Sequence, residues 1–265
     1  MELATALKHY IDAIVLIGGW APYYLIKDYG RPGFEHIGSI DIDLAVDPDH
    51  IGSEEYATII EIITDRGYTM RRAIDNSPIP FSYRKDVSIS DGGMAFDISV
   101  DFITCQSEER RGHRHRMVQA SLPARIAKGC ELAFEHNYTR TVEGILPGNG
   151  RAEAVIRVLD LPGCLGMKGI VLGERYKEKD AYDIFAVISQ CLSDPEEVGS
   201  IVRPLLSDGR LREGVANISQ RFRSIDAEGP NWVGAFLHPY DLELRKRAQA
   251  ESFVLVDRFV GAAIR

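Results

Sequence analysis

Residues 39–46 read Ser-Ile-Asp-Ile-Asp-Leu-Ala-Val, so Ile40, Ile42 and Leu44 alternate with Ser39, Asp41 and Asp43. Side chains on a strand point to opposite faces with a period of two. This segment can therefore bury one apolar side only by presenting both carboxylates on the other. The pattern recurs at 94–104, where Phe96, Ile98, Val100 and Phe102 alternate with Asp97, Ser99 and Asp101. Two acid-bearing, half-buried strands require a sheet with one covered face and one polar face.

Around them the sequence punctuates itself with Gly and Pro. Thr5 to Ala13 has helical spacing, and Ile14 to Ile17 is a short apolar strand that runs into Gly18-Gly19. Ala21 to Lys27 resumes as a helix, and Gly30 to Gly33 is a loop. Ser53 to Arg66 reads as a helix opened by a Ser-x-Glu cap. The segment 107–150 opens with a basic run and closes on the turn-rich Leu-Pro-Gly-Asn-Gly at 146–150, taken as a boundary region that still has room for strands. Beyond it Ala154 to Val158 is β-like. Pro162–Glu174, Lys179–Leu192, Pro195–Leu206, Leu211–Phe222 and Asp241–Val260 read as helices. The expected fold is mixed α/β of the α+β kind, with a catalytic domain over 1–150 and a mainly helical domain over 151–265.

With 265 residues, 45% of them hydrophobic and 26% charged, the chain has enough apolar surface for such cores and excludes fibrous or disordered classes. Thirty-nine acidic against 31 basic residues give a net charge of −8, so contact with nucleic acid must be made by a local patch. The densest such patch is Arg110-Arg111-Gly112-His113-Arg114-His115-Arg116, suited to phosphate contacts or simply to solvation. His113 and His115 lack the Cys or carboxylate neighbours of a zinc site. Cys105, Cys130, Cys164 and Cys191 form no C-x-x-C pair and are read as reduced, buried thiols. No apolar run reaches the length of a membrane span, and the first residues lack the features of a signal peptide, which together point to the cytoplasm. Trp232, Phe236 and Tyr240 read more readily as core than as a base-stacking surface.

The chemistry concentrates in Gly18-Gly19, Asp41-x-Asp43 and a further strand acid, Asp97 or Asp101. Two carboxylates on one strand face, completed by a third from a neighbouring strand, suit a hard divalent cation. Magnesium takes oxygen ligands and is ordinarily shared with substrate phosphates. Two such ions clamp the attacking and leaving oxygens of an in-line displacement. A Gly-Gly turn ahead of a helix offers backbone N–H groups to a phosphate. The plain alternative is a solvated edge strand. A second block, Lys168, Arg175, Lys179, Asp180 and Asp183, would form a basic stripe if it lay on nearly one helix, or else an ordinary salt-bridged surface. No P-loop, nucleophile elbow or H-E-x-x-H is present.

Gly18-Gly19-Trp20-Ala21 followed by Gly38-Ser39-Ile40-Asp41-Ile42-Asp43-Leu44 resembles the signature of the polymerase-beta-type nucleotidyltransferase superfamily. The arrangement Lys-x(6)-Arg-x(3)-Lys-Asp-x-x-Asp at 168–183 is similar to the third motif of the AbiEii-like toxin nucleotidyltransferases. The resemblance implies transfer of NMP from an NTP to an acceptor hydroxyl with two magnesium ions. Asp41, Asp43 and Asp101 would be the metal ligands, and these with Lys168 and Asp180 the catalytic set. Gly18, Gly19, Ser39, Lys168, Arg175 and Asp183 would meet the nucleotide. Asp101 is preferred as third carboxylate because Val-Asp-Phe-Ile resembles the family's strand, with Asp97 second. Trp20 stands where the superfamily often has Ser or Thr, so Ser39 would supply the hydroxyl. By the same resemblance the acceptor is RNA such as a tRNA 3′ end, the role that of a toxin in a toxin–antitoxin or phage-defence system, and the partner an antitoxin. His36 with Asp41 and Asp43 also resembles aminoglycoside nucleotidyltransferases. A small-molecule acceptor, or a nucleotide-binding module without catalysis, are the alternatives.

Overall fold

The structure, a computed structural model, describes residues 1–51, 58–88, 95–106, 114–146 and 150–265. It is a mixed α/β chain that divides into two compact units. The first comprises Met1–Trp20 and Ser39–Leu159, the second Ala21–Gly38 and Asp160–Arg265.

Among the described residues the first unit carries a nine-stranded mixed sheet. Its strands are β1 (Ile14–Ile17), β2 (Ile42–Val46), β3 (Thr69–Arg72), β4 (Pro78–Ser88), β5 (Ala95–Thr104), β6 (His115–Gln119), β7 (Leu122–Ile126), β8 (Asn137–Ile145) and β9 (Arg151–Leu159). The main path runs β3-β4-β5-β2-β1-β9-β8, and β6 joins through β7 to β5. β1 and β2 are antiparallel, β2 and β5 parallel. One sheet face carries Ile14, Leu44, Val46, Tyr83, Val100 and Phe102 into a core with Leu3, Leu7, Tyr10, Ile59 and Ile63. The alternation thus has its expected cause in Leu44 of β2 and in Val100 and Phe102 of β5, which face this core, whereas Phe96 at the start of β5 is exposed.

Several expected boundaries move. Thr5–Ala13 is not one helix. α1 covers Glu2–Ala6 and a 3-10 turn covers Lys8–Tyr10, because the chain bends to bury Leu7 and Tyr10 before entering β1. β2 starts at Ile42 rather than Ser39, since Ile42 is the first residue with a partner on β5, and Ile40 is 63% exposed. α3 is Ile59–Thr64, capped by Thr58, whose hydroxyl accepts from the Glu61 N–H while the Glu61 carboxylate accepts from the Thr58 N–H. The Ser53-x-Glu55 cap expected for it lies outside the described residues, as do Arg110–His113 and residue 94. Leu146 and Gly150 sit at the end of the β8–β9 hairpin, where the Leu146 N–H donates to the Gly150 carbonyl at 2.7 Å. Turn residues look alike in a hairpin and in a linker, so the expected boundary at 150 falls inside the hairpin and β9 continues the first unit to Leu159. A further helix, α4 (Glu131–Glu135), precedes β8.

The second unit holds α2 (Trp20–Tyr29) from Ala21 onward and six later helices: α5 (Leu161–Glu174), α6 (Glu178–Gln190), α7 (Pro195–Val202), α8 (Gly209–Arg221), α9 (Glu228–Leu237) and α10 (Leu242–Ile264). Asp160, Asp194, Asp208 and Asp241 cap α5, α7, α8 and α10, each accepting from a backbone N–H of the first turn. α5 and α8 cross at backbone distance: a Cβ on Gly169 would lie 2.2 Å from the Gly214 carbonyl oxygen, and one on Gly214 2.3 Å from that of Gly166. α9 was not foreseen; its Gly and Pro content hides an apolar helix. No described helix is long and apolar enough to cross a membrane. Cys130, Cys164 and Cys191 are buried, Cys105 is half-buried, and all four are thiols.

Candidate functional site

In the first unit the polar face of the sheet gathers the acids. Asp43 on β2 and Asp101 on β5 are register partners across the parallel pair, so their side chains leave the same face at the strand spacing of about 4.8 Å. Asp41 lies just before β2 and accepts a short hydrogen bond from the hydroxyl of Ser99, itself buried on the same face. Asp97 is placed differently. It is half-exposed and pairs with Arg84 at 3.3 Å, two β5 residues beyond Ser99 and away from Asp101.

The Gly18-Gly19 turn leaves β1 beneath this group. Ile17 is the register partner of Asp43, and a Cβ on Gly18 would lie 2.0 Å from Asp43 Oδ2 and 2.7 Å from its Cγ. Gly18 also has φ +66, a backbone conformation other residues enter at a cost. Glycine is required here by close approach of backbone to carboxylate. Gly19 follows, then Trp20 opens α2. Ser39 lies upstream of Asp41 and outside any strand.

Among the described residues no three His, Cys, Asp or Glu side chains form a ready metal cage. The donor set is instead two level carboxylates with Asp41 turned onto Ser99. That fits magnesium, which commonly takes one or two protein carboxylates and completes its shell with phosphate oxygens and water.

In the second unit the block at 168–183 does not form a stripe on one helix. α5 ends at Glu174, Arg175 is extended, and α6 begins at Glu178. The residues nevertheless converge. Lys168 Nζ donates to Asp183 at 2.6 Å and to Asp180 at 3.3 Å. Arg175 Nε donates to Asp180 at 2.8 Å, and Lys179 Nζ to Asp183 at 2.9 Å. The Asp183 side chain is fully buried and that of Lys168 is 12% exposed. Burial works against the Lys168 ammonium, but Asp183 and Asp180 outweigh it and hold its pKa above the usual lysine value. Burial likewise works against the Asp183 carboxylate. Lys168, His36 and Lys179 outweigh it and hold the group well below the ordinary carboxylate range. Asp180 is lowered in the same way by Lys168 and Arg175.

His36 completes this cluster from the segment preceding Ser39. Its Nδ1 accepts from the Gly38 N–H at 3.0 Å, so the neutral ring carries its hydrogen on Nε2, 3.1 Å from Asp183 Oδ1. Gly38 has φ +75, which folds its N–H back onto the ring. Tyr182 stacks on His36 with centroids 5.2 Å apart and on Phe236 at 4.7 Å. The polar side-chain partner of His36 is Asp183. The serines that hold the carboxylates carry no motif. Ser82, 1% exposed, donates from Oγ to Asp101 Oδ1 at 2.5 Å, and only the register Ser82↔Asp101 between β4 and β5 reveals it.

No family model and no curated protein matches the chain. Among solved structures, an antigenic nucleotidyltransferase-like protein from Paracoccidioides brasiliensis is similar at 14% identity and a TM-score of 0.42, over 83% of this chain and 88% of that one.

Proposed function

We propose that the chain is a magnesium-dependent nucleotidyltransferase that moves NMP from an NTP to an acceptor hydroxyl and releases pyrophosphate. The observation that carries this reading is the level placement of Asp43 and Asp101 on adjacent parallel strands, with the Gly18 backbone directly against the Asp43 carboxylate. A carboxylate face over a glycine turn suits a polyphosphate better than it suits a solvated edge strand. Asp41, Asp43 and Asp101 would hold the ions. These ions, when bound, supply charge neutralisation at the attacking and leaving oxygens. Gly18 and Gly19 lend unhindered backbone N–H groups to the phosphates, and Ser39 a hydroxyl. Asp101 takes the proton of the acceptor hydroxyl as the bond to the α-phosphorus forms and the bond to pyrophosphate breaks in line. Lys168, Arg175, Asp180 and Asp183 are assigned a part in nucleotide binding and catalysis by the resemblance of their motif alone.

The acceptor is proposed to be RNA, such as a tRNA 3′ end, and the role that of a toxin with a cognate antitoxin. These two steps rest on the motif resemblance. The test incubates wild type and an Asp41→Ala/Asp43→Ala double variant with total tRNA, magnesium and each α-labelled NTP in turn. Label on RNA from wild type alone supports the reading and names the nucleotide. Label on an added aminoglycoside instead moves the acceptor to small molecules. NTP binding without pyrophosphate release from any acceptor leaves a non-catalytic module.

A further inference from the structure

Asp101 is not held by β5 alone. Ser82 Oγ donates to Asp101 Oδ1 at 2.5 Å, and Arg71 Nη1 donates to the same Ser82 oxygen at 3.3 Å. The three residues come from three neighbouring strands in the order β3, β4, β5. Ser82 and Asp101 are register partners, which puts hydroxyl and carboxylate on one face.

Arg71 reaches Ser82 through an irregularity. The β3–β4 pairing shifts register between Met70 and Arg72, passing over Arg71. Such a bulge re-aims one side chain of an edge strand. Of the four β3 residues only Arg71 is not exposed, so an edge strand with nothing else to bury turns its one inward side chain onto a serine.

The chemistry of the chain is directional. A serine hydroxyl has one hydrogen, which goes to Asp101. Its oxygen then accepts from the guanidinium, a charge-assisted bond that polarises the O–H toward the carboxylate. Oδ1 is thereby occupied, and Oδ2 of Asp101 makes no hydrogen bond within the described residues. Asp41 is presented in the same fashion, with Ser99 on its Oδ1.

Resting on the nucleotidyltransferase reading of this site, we propose that Ser82, oriented by Arg71, is a positioning residue that fixes the Asp101 carboxylate with Oδ2 as the oxygen left for a divalent cation. Outer partners of a metal-binding carboxylate typically set metal affinity by about 10- to 100-fold, so the effect is measurable on binding as well as on turnover.

The test follows Mn²⁺ binding by electron paramagnetic resonance with α,β-methylene analogues of each NTP, using wild type, Ser82→Ala, Arg71→Ala, the Ser82→Ala/Arg71→Ala double variant and Asp101→Asn. Thermal unfolding of each metal-free protein is recorded alongside. Ser82→Ala is expected to weaken Mn²⁺ binding by about 10-fold or more. Arg71→Ala should weaken it less. The double variant should bind no worse than Ser82→Ala, because Arg71 acts only through the serine. Wild-type affinity in Ser82→Ala, or full additivity in the double variant, overturns the proposal. If Ser82→Ala does not fold, Arg71→Ala decides: unchanged Mn²⁺ binding in that variant overturns it. If wild type and Asp101→Asn both bind no Mn²⁺ with any analogue, the metal-site reading falls and the proposal with it. If wild type binds, Asp101→Asn does not, and Ser82→Ala does, only the proposal fails.

Discussion

Gly18 and Asp43 occupy adjoining space with no room for a side chain between them: a Cβ at residue 18 would lie 2.0 Å from Asp43 Oδ2. The turn and the carboxylate are therefore one device. In Gly18→Ala the methyl must displace Asp43, and the backbone at φ +66 is strained besides. A loss of about 1–3 kcal/mol of stability is expected from the strain, together with loss of nucleotidyl transfer. Urea unfolding and label incorporation measure the two. A folded Gly18→Ala protein with full turnover would show that the position of Asp43 is immaterial.

The cluster around Lys168 has the opposite character, since every charged group in it has an oppositely charged neighbour. Replacing Lys168 by Met leaves Asp183 with Lys179 and His36, and Asp180 with Arg175. Breaking a buried pair from one side costs about 3 kcal/mol or more, and the remaining partners place this case at the low end. The pH dependence has a definite sign. Asp183 is depressed in the folded protein, so its stabilising contribution is present at neutral pH and is lost as the solution is acidified below the ordinary carboxylate range. The difference in unfolding free energy between wild type and Lys168→Met should therefore shrink on acidification. A constant difference would mean that Lys168 acts by packing alone.

What could be read from the sequence follows from how local its cause was. The alternation at 39–46 and 94–104 marked β2 and β5 and set Asp43 and Asp101 each opposite the apolar residues of its own strand, because the period of a strand is a local property. Gly18-Gly19 was legible as a turn, but its contact with Asp43 depends on the antiparallel pairing of β1 with β2. Ser82 and Arg71 were invisible, since nothing in 69–84 announces that a strand register will set them beside Asp101. The 168–183 block reads as parts of two helices, Pro162–Glu174 and Lys179–Leu192, and its basic residues would line up as a stripe only if the two ran on as nearly one. The break at Arg175 is made by an extended backbone that periodicity does not report, and the residues meet across two helices instead.

Asp208 offers a cleaner stability measurement. It caps α8 by accepting from the Arg210 and Leu211 N–H groups, and it pairs with the Arg210 guanidinium. The Arg210 side chain and these backbone bonds lower its pKa to about 2, against the ordinary 3.8. A depressed carboxylate contributes stability above its unfolded value and loses it as the pH falls toward its folded one. Asp208→Ala should cost about 1 kcal/mol at neutral pH. That cost should fade as the pH drops through 3.8 toward about 2. Unfolding by urea at pH 7 and at low pH decides it. An equal cost at both would assign the effect to helix propensity rather than to the charged cap.

The acceptor can be separated by charge on β6 and the segment before it. Arg114 is exposed, whereas Arg116 is partly committed, with Nη2 3.8 Å from Asp49 and Nη1 3.8 Å from Cys105 Sγ. Arg114→Glu is thus the better probe, because it reverses a charge without breaking a described ion pair. If RNA is the acceptor and this strand tracks its backbone, the variant should lose RNA binding. The slope of log affinity against log salt should also fall by about one phosphate contact. NTP binding should stay unchanged, since the Asp43–Asp101 face is left intact. A small hydroxyl acceptor has no polyanionic backbone to lose. Transfer that is indifferent to both Arg114→Glu and salt would therefore place the acceptor outside RNA while leaving the carboxylate chemistry in force.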